Sequence, residues 1–297
     1  MNETLILKSK PVVESLNEKH KVLVDQLKRK NLTPKLTVVI VGDDPASHVY
    51  VHRKGQACEK LGIASDTITL SANTPEAELL DLIANLNDDD SNHGILVQSP
   101  VPKQINEEHV ILAINPKKDV DCFHPHNVGL LVSGNPYMQP CTPAGIVEML
   151  KYYEISPEGK YVVIMGRSNI VGKPMANLLI QKKKFANATV TIVHSRTKNI
   201  GEFTKQADIL IAAIGQPHFV TKDMVKEDAV VVDVGMNRID ADNEKGYALV
   251  GDVKYEEVFE KVSAITPVPG GVGPMTIAML MANTITAAAQ QGGITLE

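Results

Sequence analysis

An α/β protein of two domains is what this sequence predicts, and three observations carry that expectation. Short β-branched runs alternate with longer amphipathic stretches, the pattern of parallel strands covered by helices. The alternation comes in two series, separated by the proline and glycine punctuation of "NPYMQPCTPA" (135–144). The chain then closes on "PVPGGVGPMTIAMLMANTITAAAQ" (267–290), a glycine-rich loop followed by one apolar helix long enough to pack back on the N-terminal domain. The predicted division is 1–139 plus 275–297 for the N-terminal α/β domain and 140–274 for the second domain.

In the first series the strands are "LTVVIV" (36–41), "SDTITL" (65–70) and "GILVQ" (94–98), with helices near 11–30, 45–61 and 75–87. The second of these helices has Asp44 as its N-cap and Pro45 at its first position, where a missing N–H costs nothing. Tyr50 and Lys54 then fall four residues apart on one helical face. The second series opens on a helix with Thr142 as N-cap and Pro143 at its first position. It continues through "YVVIM" (161–165), "TVTIV" (189–193), "DILIAAI" (208–214) and "AVVVDV" (229–234), the plan of a Rossmann-type domain.

Bulk properties exclude several classes of function. The 297 residues carry 30 Lys and Arg against 35 Asp and Glu, a net charge of −5 that gives no nucleic-acid footprint. Apolar runs such as "ADILIAAIG" are strand-length, short of the roughly 20 residues of a membrane span, so no membrane partner is expected. Cys58, Cys122 and Cys141 form no pairing framework or CxxC. With "MNETLILKSK" resembling neither a signal nor a transit peptide, the expected location is cytoplasmic. The histidines are dispersed, and His124 with His126 lacks the spacing and partner carboxylates of a zinc site. Asp88, Asp89 and Asp90 read as a solvated loop, and no metal is expected.

The turn after "YVVIM" carries the first chemical signal. Gly166 permits a sharp reversal after a strand, and the following helix N-terminus offers N–H groups and partial positive charge to a phosphate. The glycines do not follow the usual dinucleotide spacing: counted from Gly166, Ser168 is third, Val171 sixth and Gly172 seventh. NAD-binding domains carry an acidic residue at the end of the second strand, whereas this one ends "HSRT" (194–197). Ser195, Arg196 and the turn's own Arg167 favour the 2′-phosphate of NADP.

Six ordered motifs make the reading specific: "DPASHVYVHRK" (44–54), "GILVQSPVP" (94–102), "PKKDVDCFHPHNVG" (116–129), "PCTPAGIVEML" (140–150), "GRSNIVGKP" (166–174) and "ITPVPGGVGPMT" (265–276). From about Leu36 to Thr284 the chain resembles the bifunctional methylenetetrahydrofolate dehydrogenase/methenyltetrahydrofolate cyclohydrolase family, called FolD in bacteria. The resemblance implies NADP-dependent oxidation of 5,10-methylenetetrahydrofolate to the methenyl form and its hydrolysis to 10-formyltetrahydrofolate. It implies that Lys54 is the essential catalytic group, that Tyr50 flanks and orients the pterin, and that Gln98 hydrogen-bonds the lysine. Asp121 would bind the amino-pyrimidine edge, with Ser99 and Pro100 beside Gln98 in the substrate site. The loop through Val268 to Thr276, with Pro269, Gly270 and Gly271, would touch folate and nicotinamide. NADP would be held by Gly166, Arg167, Ser168, Ser195, Arg196 and Met236. A homodimer joined through the Rossmann-type domains is implied as well.

Two departures flank proposed substrate residues. Ser99 stands where the family has leucine in "VQLPLP", and Cys122 where it has glycine in "DVDGF". Because a Cβ disfavours left-handed backbone, Cys122 is expected at negative φ. Two other readings stay open on the sequence: another two-domain NADP dehydrogenase, such as a shikimate dehydrogenase-like enzyme, and a non-catalytic nucleotide- or folate-binding module.

Overall fold

The structure is a computed structural model and describes residues 3–243 and 246–296. In chain order it contains β1 (Leu5–Ile6), α1 (Ser9–Arg29), β2 (Lys35–Val41), α2 (Pro45–Leu61), β3 (Ala64–Leu70), α3 (Glu76–Asp88), β4 (Gly94–Val97), α4 (Glu107–Ala113), α5 (Pro125–Val132) and α6 (Cys141–Tyr152). There follow β5 (Tyr161–Met165), α7 (Gly172–Leu179), β6 (Thr189–Val193), α8 (Ile200–Thr204), β7 (Ile209–Ala212), β8 (Val230–Asp233), β9 (Asn237–Asp240), β10 (Tyr247–Val250), α9 (Tyr255–Val258), β11 (Ala264–Ile265) and α10 (Val272–Gln291). Two compact units result. One, here the Lys54 unit, holds Ser15–Cys141 with the chain from Ile277 onward; the other, the Gly166 unit, holds Thr142–Thr276 with the residues up to Glu14.

The Lys54 unit is built on a parallel sheet of order β3-β2-β4. Both faces of β2 are buried: Leu36, Val38 and Ile40 pack into one core, Val39 and Val41 into another. That accounts for an unbroken apolar run where a half-exposed strand would alternate. Leu280, Met281, Ile285 and Ala288 of α10 complete the first of these cores. The expectation that apolar runs stop at strand length fails here, because α10 is long and apolar enough by length and composition to cross a membrane. Its apolarity is that of a core helix, with more than half of it buried in the protein.

The Gly166 unit is a six-stranded parallel sheet of order β1-β11-β8-β7-β5-β6. Val163 and Met165 of β5 face one core, Val162 and Ile164 the other. From β5 the chain moves outward to β6 and then crosses back to β7, so the strand order reverses at β5. Ligands of open α/β sheets bind outside the strand ends at such a reversal. The first residues depart from the predicted division: β1 pairs with β11, and Ser9 N–H and Oγ both donate to the Gly270 carbonyl. These long-range backbone bonds draw residues up to Glu14 into this unit, which a local sequence pattern cannot reveal.

Element ends also shift. The helix predicted to start after Thr142 begins at Cys141, so Pro143 is third in it, still within the first turn where no N–H is needed. The strand predicted over 208–214 ends at Ala212, because the Ile214 N–H turns away to the carboxylate of Asp252 at 2.7 Å. The antiparallel hairpin of β9 and β10 was not read from the sequence.

Candidate active site

In the Lys54 unit, α2 presents the amine. Asp44 accepts from the Ser47 N–H at 2.8 Å and Pro45 stands first, as predicted, while Gly62 at φ +71° closes the helix. Lys54 is only 8 % exposed, and its Nζ donates to Gln98 Oε1 at 2.9 Å. Gln98 is held at the end of β4 by its own N–H on the Val39 carbonyl, and its Nε2 donates to the Ser99 carbonyl at 2.7 Å. With the amide nitrogen so occupied, its oxygen is turned to the amine. Burial lowers the Lys54 pKa, opposed by the charge of Asp121. Tyr50, one turn earlier, is half-buried, and burial raises its phenol pKa.

Asp121 lies deep among protein atoms with part of its surface open; burial raises its pKa and the Lys54 charge opposes that rise. Asp119, two residues earlier, is committed elsewhere: it accepts from the His124 N–H and from Asn127 Nδ2 at 2.9 and 2.8 Å. His124 in turn caps α5 by accepting from the His126 N–H. Ser99 and Pro100 are exposed and joined by a cis peptide bond.

Cys122 contradicts the expectation of negative φ: it sits at +62° and is 1 % exposed. Its N–H closes a tight turn on the Asp119 carbonyl at 3.2 Å. Asn283 of α10 pins the same loop by donating to the Val120 carbonyl at 2.7 Å. The turn and this buried tie outweigh the Cβ penalty, on the order of 1–2 kcal/mol, leaving a strained residue next to Asp121.

In the Gly166 unit the odd glycine spacing has a steric reason. Gly166 has φ +119°, and a Cβ there would strike the Ala213 carbonyl; a Cβ on Gly172 would strike the Gly166 carbonyl oxygen. The second glycine is therefore seventh because α7 starts where it meets the end of β5. Ser168 Oγ accepts from the N–H groups of Val171 and Gly172 at 3.1 and 3.4 Å. Those two donors, which the sequence reading left for a phosphate, are thus engaged by the loop itself. Arg167, Ser195 and Arg196 are exposed, the latter two on a turn fixed by His194 and Thr197. With no carboxylate ending β6, a bare glycine turn and two exposed arginines fit a phosphorylated dinucleotide. Met236 is exposed after β8, and Pro269, Gly270 and Gly271 belong to this unit, with Val268–Pro269 cis.

Sequence reasoning missed two buried carboxylates of this unit, Asp233 and Asp252. Asp233 accepts from the N–H groups of Gly235, Asp252 and Val253 at 2.9–3.0 Å. Burial pushes its pKa up to about 6. Asp252 accepts from Ile214, Gly215 and Gln216 N–H groups and from Asn237 Nδ2. The signal available was an aspartate ending each of two apolar stretches, "VVVD" and "VGD".

The catalytic-domain model of the tetrahydrofolate dehydrogenase/cyclohydrolase family matches residues 7–121, and its NAD(P)-binding-domain model matches residues 140–292. The bifunctional protein FolD of Chloroherpeton thalassium is 56% identical over 285 residues, 95% of this chain and 97% of that one. The crystal structure of the bifunctional FolD dehydrogenase/cyclohydrolase from Campylobacter jejuni superimposes with a TM-score of 0.90 at 48% identity, covering 97% of this chain and 99% of that one. The Trypanosoma brucei FolD, a structure complexed with NADP cofactor and inhibitor, gives 0.91 at 35% identity over 98% and 99%. With both domain models matched in order and near-complete coverage by such relatives, the chain belongs to the tetrahydrofolate dehydrogenase/cyclohydrolase family.

Proposed function

We propose that this protein is a bifunctional enzyme of one-carbon metabolism, which oxidises 5,10-methylenetetrahydrofolate with NADP and hydrolyses the methenyl product to 10-formyltetrahydrofolate. The observation that carries this reading is the buried Lys54 amine held on the Gln98 amide with Asp121 as its nearby counter-charge. A free lysine, with a pKa near ~10.4, is a poor base at neutral pH. Burial lowers that of Lys54, and a cationic methenyl substrate beside it lowers it further. The neutral fraction then takes a proton as water adds to the methenyl carbon, and Gln98 keeps the lone pair aimed while this happens. Hydrolysis should therefore quicken as pH rises through the lowered pKa of the amine.

Asp121 anchors the pterin by accepting from its amino-pyrimidine edge, and Tyr50 lies along its face. Ser99, Pro100 and the Pro269–Gly271 stretch complete the proposed substrate contacts. Gly166, Arg167, Ser168, Ser195, Arg196 and Met236 would hold NADP, the arginines answering its 2′-phosphate. When bound, NADP supplies the hydride acceptor. The same reading extends to a cytoplasmic location and to a homodimer joined through the Gly166 unit, the latter supported by the edge position of β6 with exposed Ile192 and by exposed Ile180, which directly follows α7.

A spectrophotometric assay with methylenetetrahydrofolate and each nicotinamide cofactor tests the reading. NADP-dependent formation of the methenyl chromophore followed by its decay is expected. No turnover with tight folate binding would leave a binding module instead.

A further inference from the structure

Asp252 is wholly buried, and every hydrogen bond to its carboxylate comes from the rim of the sheet. Three donors are consecutive N–H groups, Ile214, Gly215 and Gln216, at 2.7, 3.0 and 3.0 Å, in the loop after β7. The fourth is Asn237 Nδ2 at 2.9 Å, at the start of β9. A buried carboxylate is costly unless fully hydrogen-bonded, and the chain makes room for this one: a Cβ on Gly235 would run into the Asp252 side chain, and one on Gly251 into that of Asp233.

What these bonds fix is the lip at the reversal point of the sheet. Residues 214–216 directly follow Ala213, whose carbonyl is the atom that excludes a side chain from Gly166. The exposed Met236 is bracketed in the same way, with Gly235 N–H held by Asp233 and the Asn237 side chain by Asp252. Thus one carboxylate ties together the loop after β7 and the segment after β8, on both sides of which a dinucleotide's far half would lie.

We propose that Asp252 is a positioning residue for hydride transfer, fixing the 214–216 backbone against the Gly166 turn and so setting where the nicotinamide half of NADP lies. The inference rests on the function proposed above and touches only one of its two reactions, since the hydrolytic groups belong to the Lys54 unit.

Asp252→Asn is the sharp variant. It keeps one oxygen for Gln216 and Asn237 and turns an NH₂ against the N–H groups of Ile214 and Gly215. Purified full-length wild type and variant would be compared in NADP-dependent oxidation of methylenetetrahydrofolate and in hydrolysis of methenyltetrahydrofolate without nicotinamide cofactor. A fall of about a hundredfold in kcat/KM for NADP is expected, the scale of a small misplacement of reacting atoms, with hydrolysis within about threefold of wild type. Parallel loss of both activities in a folded variant, or unchanged NADP kinetics, would overturn the proposal. Should Asp252→Asn not melt cooperatively, Asn237→Ala serves, removing one donor from the periphery. It is expected to raise KM for NADP about fivefold with hydrolysis intact, and an unchanged KM contradicts the role. A wild type with no NADP-dependent oxidation would instead overturn the proposed function, and this inference with it.

Discussion

Two buried carboxylates, one in each unit, meet the same physical difficulty by different means. Asp121 is answered by an ammonium, the Lys54 side chain, and the two are pushed toward neutrality from opposite directions: the acid up, the amine down. Asp233 is answered by backbone N–H groups alone. The first arrangement brings the proton affinities of the two groups toward each other, which suits acid–base chemistry. The second fixes loops. In one unit a buried acid thus faces a side-chain amine, while in the other buried acids hold backbone loops.

The largest expected effect on stability bears on the backbone-answered acid. Its pKa rises from 3.8 to about 6 on folding, so the native state holds the proton more tightly than the unfolded chain between these values. Its contribution to stability is thus full below pH 4 and is lost as pH rises through 6, an effect of about 3 kcal/mol. Urea unfolding of wild type and Asp233→Asn across pH 4–7 would expose it, wild type losing ground relative to the variant as pH increases. A constant difference would remove the contrast between the two acids.

Asp121→Ala should lower oxidation and hydrolysis together, by roughly a hundredfold, about the worth of a charge-assisted hydrogen-bond pair. Steady-state rates for both reactions check this. Loss of only one reaction would mean that Asp121 serves Lys54 rather than the pterin, and its strained neighbour makes that mutation necessary.

A smaller effect concerns the exposed arginines. Arg167→Ala should reduce kcat/KM for NADP about tenfold, or ~1.4 kcal/mol, and that for NAD by less. Wild type using both cofactors equally well in phosphate-free buffer would contradict the 2′-phosphate reading.

Smallest is Cys122. Both variants lose the thiol, but glycine relieves the left-handed strain that alanine retains, so Cys122→Gly should be more stable than Cys122→Ala by ~1 kcal/mol. Thermal melts of the two variants decide it, and the opposite order would mean that the loop relaxes out of positive φ.

What the sequence made legible follows from how local each signal is. The central strands of both parallel sheets were readable because a strand buried on both faces is a continuous β-branched run, as in "YVVIM" and "LTVVIV". Tyr50 and Lys54 were readable from helical spacing after a cap, and Gln98 and Asp121 only through the family resemblance. Leu5–Ile6 was not readable, since a two-residue strand has no period and its partner lies at 264–265. The anchoring roles of Asp233 and Asp252 were hidden for a different reason: apart from Asn237 Nδ2, their partners are backbone N–H groups, which every residue but proline carries and no motif spells out. Cys122 misled because propensity was set against a turn and a tie from α10 that only the folded chain supplies.

The measurement that bears most directly on the division of labour is the pair of rates on Lys54→Met. The methionine keeps an apolar stem beside Tyr50 but has no amine to accept a proton from water. Folded protein should bind folate within about tenfold of wild type, or ~1.4 kcal/mol. Methenyl hydrolysis should fall by about a thousandfold, within the range of a lost acid–base group, while measurable NADP-dependent oxidation remains. Wild-type hydrolysis in that variant would contradict the role of Lys54 and, with it, the separation of chemistry from scaffold between the two units.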